Sequence, residues 1–355
     1  MSAAIRPALA PLLAILIAIA SLVIAPVAAQ TTDPGRRDAE ARAAERDTDY
    51  ATRADVRAFI RELVSRHGFD QDELLKLFSQ IRYQARVVSL MTPPPPGTKR
   101  SWSQYRTRML DPIRVDVGLA FWRDNQDAIR RASERFGVPQ EIIVSIIGIE
   151  TMYGRYTGNF RVLDTLATLA FDFPRRAEFF RSELEQFLLL VRDQKLDPLG
   201  PRGSYAGAMG VPQFMPGSIR RHAVDFDGDG RIDLMRNVGD AVGSVASFLA
   251  NHGWRPGEPT HFQARLADES KIAPLIEAGI EPRFTIAQLG AYGITSPQKV
   301  PAAMPLALID LPNGDEPTVY TLGAPNFYVI TRYNRSSFYA MAVIDLAIEL
   351  RNARN

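Results

Sequence analysis

Glu150 closes the segment Glu141-Ile-Ile-Val-Ser-Ile-Ile-Gly-Ile-Glu150, which is apolar on nearly every side. Such a run predicts a buried helix. On that helix Glu150 shares a face with Ile143, Ile146 and Ile147. A glutamate among isoleucines loses hydration in its charged form, so its pKa rises. A carboxyl kept protonated near neutral pH can protonate a glycosidic oxygen. The competing reading is a buried glutamate paired for structural reasons, since ion-pair networks also perturb pKa values.

A second constellation is Asp225-Phe-Asp-Gly-Asp-Gly-Arg-Ile-Asp233. Asp225, Asp227 and Asp229 fall at loop positions 1, 3 and 5, with Gly230 at 6, as in the opening of an EF-hand calcium loop. The glutamate usual at position 12 is replaced by Arg236. The plainer reading is an acidic turn whose carboxylates cap the next helix. No zinc cluster is in view, because His67, His222, His252 and His261 are scattered and read as structural or exposed. The absence of cysteine excludes disulfides, thiolate metal sites and a cysteine nucleophile.

The elements that must position these residues are mostly helical. Phe59, Ile60, Leu63 and Val64 recur at helical spacing, and Asp70 can cap the helix that follows. The proline run at 93–97 is an extended loop. Helices are expected over 102–110 and 117–136, then from Pro139 as a first helical residue. More follow near 161–171, 175–195 and 238–252, separated by glycine-rich loops at 199–210 and 225–230. Residues 257–319 are rich in Pro and Gly, weakly periodic apart from 286–291, and read as a small, partly β insertion. Phe327 to Ile330 reads as a short strand and 339–351 as a closing helix. The fold class is therefore mainly α with a small β component (α+β).

Bulk properties agree with a secreted globular protein. The chain has 355 residues, 46% apolar and 23% charged, enough for a sizeable core. Its formal net charge of +2 lacks the basic excess of a nucleic-acid binder. Arg6, an apolar stretch from Leu12 to Ile24 and Val27-Ala28-Ala29 form a secretory signal peptide over 1–29. Left uncleaved, the longer stretch from Ala8 to Ala29, almost free of polar residues, is about long enough to anchor the chain in a membrane. Residues 30–53 are polar and read as a disordered or loosely helical spacer.

Four blocks then appear in order: Glu150-Thr-Met-Tyr-Gly154, Phe173-Pro-Arg-Arg-Ala-Glu-Phe-Phe180, Gly203-Ser-Tyr-Ala-Gly-Ala-Met-Gly210 with Gln213-Phe-Met-Pro216, and Thr331-Arg-Tyr-Asn-Arg-Ser-Ser-Phe-Tyr-Ala-Met341. In these the chain resembles the membrane-bound lytic murein transglycosylase B family, from about Phe59 to Met341. The resemblance implies a lysozyme-like helical core (137–256) carrying the EF-hand-like loop, an extra helical domain (54–136) and a small β-containing lobe (257–325). A C-terminal strand and helix (326–355) would pack on a deep cleft. It implies periplasmic action on peptidoglycan glycan strands, with wall-synthesis proteins as further partners. The bond is the β-1,4 link between N-acetylmuramic acid and N-acetylglucosamine, broken without water to leave a 1,6-anhydro end. Glu150 would serve as acid and then base, with no cofactor required and Ca²⁺ only structural.

Carried over by position, Ser204, Gln213, Tyr105, Tyr333, Asn334 and Tyr339 would line the cleft, and Arg175 and Arg176 would face the lactyl or stem-peptide carboxylates. Gly203, Gly207 and Gly210 would let backbone approach a sugar. In the acidic loop, Arg231 would offer its carbonyl and Asp240 would close the calcium site. Met152, Phe248 and Val211-Pro212 depart from the family's usual Arg, Tyr and Tyr-Gly. Two rival functions stand beside this one, a muramidase that uses water and a non-catalytic wall-binding scaffold.

Overall fold

A computed structural model describes residues 49–95 and 97–354. The leader expected at 1–29 and residues 30–48 of the spacer lie outside them. The spacer's last residues are firmly placed, unlike the loose segment expected. A 3₁₀ turn at Tyr50–Thr52 docks on the body, with Tyr50 fully buried and its hydroxyl donating to Asp172 at 2.5 Å.

The chain then runs through α1 (Ala54–His67), α2 (Gln71–Phe78), α3 (Ala85–Met91), α4 (Trp102–Met109), α5 (Pro112–Asp124), α6 (Gln126–Phe136) and α7 (Gln140–Thr151). Asp70 caps α2 as its sequence suggests, accepting from the Glu73 N–H at 2.8 Å. The single helix expected over 117–136 is two. Asn125 breaks it, its side-chain amide donating to the Phe121 carbonyl at 2.8 Å. Pro139 stands one residue outside α7 with ψ of 140°, and its carbonyl accepts from Ile142 and Ile143.

Next come β1 (Phe160–Arg161), α8 (Val162–Asp172), α9 (Ala177–Asp193), β2 (Arg202–Gly203), α10 (Pro216–His222) and α11 (Val238–Asn251). The small lobe holds β3 (His261–Gln263), β4 (Arg265–Leu266), α12 (Ala273–Glu277), α13 (Ile286–Gly290), β5 (Ile294–Thr295), β6 (Ala307–Asn313) and β7 (Glu316–Gly323). Strands β3, β7 and β6 form an antiparallel sheet with β7 in the middle, Phe262 and Leu308 both opposite Leu322. Two-stranded pairs β1–β2 and β4–β5 complete the described strands.

The chain closes with α14 (Pro325–Tyr333) and α15 (Ser337–Arg354). The strand expected at Phe327–Ile330 is thus a helix. Four apolar residues in a row cannot by themselves separate a buried strand from a buried helix. Pro325 opens a helical turn, and Phe327, Ile330 and Thr331, at helical spacing, go inward.

One apolar core runs from Tyr50 to Leu350, and a second, in the small lobe, gathers Phe262, Leu275, Leu289, Leu308 and Leu322. Helix α7 lies in the larger core, packed by α5, α6, α11 and α15. Ile142 through Gly148 are all buried, so its apolar character on every side is explained.

Candidate active site

Glu150 occupies the last turn of α7 and is partly exposed, at the point where this buried helix reaches the surface. Burial pushes its carboxyl up to about 7, and the Tyr339 hydroxyl, donating to Oε1 at 2.6 Å, holds it back from rising further. No neighbouring carboxylate contributes to that shift. Tyr339 is 2% exposed on the first turn of α15. Burial pushes the Tyr339 and Tyr333 hydroxyls well above the ordinary tyrosine range, so both remain neutral donors.

After Thr151 the chain turns sharply through Met152, Tyr153 and Gly154, with φ of 50°, 60° and 85°. Non-glycine residues in this region cost about 1–3 kcal/mol each. The turn is clamped by Thr151, whose hydroxyl donates to the Val211 carbonyl at 2.8 Å and accepts from the Gly154 N–H at 2.9 Å. Sequence reasoning missed Thr151; a lone buried threonine carries no pattern that marks it.

Aromatic rings flank the carboxyl. Tyr333 stacks near Tyr339 at 6.4 Å, meets Phe248 edge-on at 4.8 Å, and donates to the Pro212 carbonyl at 2.5 Å. Phe248 in turn stacks on His252 at 4.1 Å and meets His222 at 5.1 Å. The two histidines are brought together, and burial drives His222 down to about 4, so it is a neutral packing element. Tyr105 lies one ring further out, against Trp102 and Phe338. Asn334 is 4% exposed, and its Oδ1 has no hydrogen-bond partner among the described residues.

Ser204 and Gln213 both belong to the glycine-rich block. Ser204 Oγ accepts from the N–H groups of Ala206 and Ala208, at 3.3 and 3.1 Å. Gln213, at φ 51°, donates to the carbonyls of Thr157 and Gly210. Within the fold, Gly203 and Gly210 make room for other backbone. A Cβ on Gly203 would lie 2.1 Å from the Ala208 carbonyl, and one on Gly210 2.4 Å from the Leu234 carbonyl. At Gly207 the obstacle would be the Leu166 side chain.

The arginine pair divides. Arg175 is exposed, whereas Arg176 is half-buried over the rings of Phe179 and Phe180, at 4.4 and 5.1 Å, with Glu183 nearby. Only Arg175 is placed as a free surface cation would be.

In the acidic loop, Asp225, Asp227 and Asp229 bring carboxylate oxygens within 4.8 Å of one another. Three hard oxygen donors at that spacing fit Ca²⁺. Asn237 donates to Asp227 at 2.6 Å and holds that carboxyl below its ordinary range. Asp240, expected to close the site, stands outside the cluster. It is fully buried at the start of α11, and its two oxygens accept from the N–H groups of Phe226 and Asp233, each at 2.8 Å. It braces both ends of the loop from beneath. The Arg231 N–H donates to Asp229, and its side chain is exposed.

With this geometry in place, the chain can be set beside known proteins. The family model described as Transglycosylase SLT domain matches residues 51–348. The membrane-bound lytic murein transglycosylase B of Escherichia coli strain K12 is 43% identical over 314 residues, 86% of this chain and 85% of that protein. Catenated lytic transglycosylase SltB1 from Pseudomonas aeruginosa, a solved structure, is 43% identical with a TM-score of 0.80, over 86% of this chain and 100% of that one. The Escherichia coli lytic transglycosylase Slt35, solved in complex with calcium, is 42% identical with a TM-score of 0.76, over 88% and 97% of the two chains.

Proposed function

We propose a single-carboxylate mechanism for this chain, which belongs to the transglycosylase SLT domain family and is a lysozyme-like lytic transglycosylase acting on peptidoglycan. In the proposal, the protonated Glu150 carboxyl donates to the glycosidic oxygen between N-acetylmuramic acid and N-acetylglucosamine. The C1–O bond breaks, and charge develops at C1 of the muramoyl sugar, assisted by its own acetamido group. The Glu150 carboxylate then takes the proton from the C6 hydroxyl of that sugar. The C6 oxygen closes on C1 to give the 1,6-anhydro ring, and Glu150 is again protonated. No water is consumed.

The observation that carries this reading is the environment of Glu150. Burial raises its pKa to about 7 against the opposing hydrogen bond of one tyrosine, with no partner carboxylate acting on it. Glycosidases that use water or an enzyme nucleophile pair two carboxylates about 5–9.5 Å apart. A tethered hydroxyl on the substrate removes that need and gains from proximity. Tyr333 is close enough to feel the charge of the acid, and in this reading the buried Asn334 acceptor would take a sugar hydroxyl or acetamido N–H. Ser204, Gln213 and Tyr105 would line the strand further along, with Arg175 toward the lactyl or peptide carboxylates.

The deciding experiment is mass spectrometry of muropeptides released from purified peptidoglycan by residues 30–355. The expected products are one water lighter than reducing-end muropeptides. Reducing ends would mean hydrolysis, and binding without release would mean a scaffold.

Acting on the wall, the chain works outside the cytoplasm. We place it in the periplasm, freed by cleavage after Ala29 or held by that segment. Among the described residues no helix is long and apolar enough to cross a membrane. No cofactor is needed for the chemistry, and the acidic loop would hold Ca²⁺ through Asp225, Asp227 and Asp229 as a structural ion. Binding to the native state stabilises it, by about 2.7 kcal/mol at a hundredfold excess over Kd. Saturating calcium should therefore raise Tm by roughly 2–8 °C in thermal melts. An Asp225→Ala protein with the same calcium response would remove the site.

A further inference from the structure

The strained turn after Glu150 has a buried anchor. Tyr153 is 8% exposed, and its ring packs on Phe121 at 5.3 Å. The tip of its side chain enters a slot between α5 and α7 whose walls are two glycines. A Cβ on Gly118 of α5 would lie 2.2 Å from the Tyr153 hydroxyl oxygen, and one on Gly148 of α7 2.5 Å from it. No larger residue fits either position while Tyr153 is in place. Leu350 of α15 meets the same point, 2.7 Å from that Cβ on Gly118.

The hydroxyl is buried and has no hydrogen-bond partner among the described residues. A group so placed gains nothing from hydrogen bonding and acts by filling space. Three helices therefore converge on the tip of one side chain. Helix α7 carries Glu150 two residues beyond Gly148, and α15 carries Tyr339, which donates to Glu150. The backbone closes the same knot, because the Tyr153 N–H donates to the Ile147 carbonyl at 3.3 Å.

We propose that Tyr153 is a positioning residue, a wedge in the Gly118–Gly148 slot that fixes the last turn of α7 against α5 and α15 and so sets where the Glu150 carboxyl meets the Tyr339 hydroxyl. It touches no substrate. The proposal rests on the reading of Glu150 as the acid. It explains why residues 152 and 153 hold positive φ without being glycine: the packed ring over-determines the turn.

The test compares Gly148→Ala, Tyr153→Leu and the size swap that combines them, with Gly290→Ala as a control in open space on α13. Steady-state release of anhydro-muropeptides is measured against pH, with a thermal melt for each protein. Each single change should lower kcat about tenfold while KM moves less than about threefold, as expected for a misplaced group. The limb on which activity falls at high pH should move to lower pH as water reaches the carboxyl. The size swap should recover most of the loss, and Gly290→Ala should show none. A folded Tyr153→Leu with wild-type kcat and an unmoved limb would overturn the proposal, as would a loss confined to KM. If Gly148→Ala does not fold, Tyr153→Leu decides alone, since it adds no clash. If Glu150→Gln keeps cleaving, the acid assignment fails; an inactive Glu150→Gln beside a fully active Tyr153→Leu condemns the wedge alone.

Discussion

Glu150→Gln should lower the release of anhydro-muropeptides at least about a thousandfold while leaving strand binding intact, in the upper range for loss of a general acid. The amide has the same shape and can still accept from Tyr339, so packing at the end of α7 is preserved. It cannot release a proton to the leaving oxygen or take one from the C6 hydroxyl, so both halves of the reaction fail together. The stability of this variant has a definite sign. The folded-state pKa of about 7 lies above the ordinary glutamate value of 4.5. The contribution of Glu150 to stability is therefore fully present below about 4.5 and is lost as pH rises through about 7. Above that pH the wild type carries an unfavourable buried charge worth roughly 2–4 kcal/mol. Glu150→Gln removes it, so at pH 8 the variant should melt at or above the wild-type temperature. A folded variant with wild-type turnover would end the assignment, and one that melts well below wild type at pH 8 would contradict the burial argument.

The desolvation of Glu150 was legible in the sequence because its surroundings are local. Ile143, Ile146 and Ile147 precede Glu150 at helical spacings, and nothing outside α7 is needed to predict its desolvation. Tyr339 was reachable only through the resemblance, since 189 residues separate it from its hydrogen-bond partner. The Tyr153 slot was not legible at all. Gly118 and Gly148 look like ordinary helical glycines until α5 and α7 are packed, when their missing Cβ atoms become a cavity of the right shape. Asp240 entered as a ligand only through the resemblance, and the local sequence does not show that its carboxyl faces two backbone N–H groups of the loop. Phe327 to Ile330 misled for a third reason. Strand propensity in a four-residue apolar run was overridden by a proline start and two buried faces.

Tyr339→Phe should lower kcat by roughly ten- to a hundredfold and move the high-pH limb of the activity profile upward, the opposite direction from the wedge variants. A hydrogen bond to a charged group is worth about 1.5–3 kcal/mol. Tyr339 spends that energy on the carboxylate form of Glu150, because its hydroxyl donates and the bond lowers the carboxyl's pKa. When Glu150 gives its proton to the leaving oxygen, charge develops on the atom Tyr339 already faces. The bond is then stronger in the transition state than in the ground state, which is the condition for raising kcat. Without it the carboxyl holds its proton above pH 7, where the wild type is largely ionised, and the limb shifts accordingly. The same stronger hold makes it a poorer donor at every pH below. The profile of Tyr339→Phe should thus be lower and broader on its alkaline side. A profile that is lower with the limb unmoved would mean that Tyr339 serves packing alone. A limb moving to lower pH would mean that the hydroxyl had been shielding Glu150 from water rather than stabilising its charge.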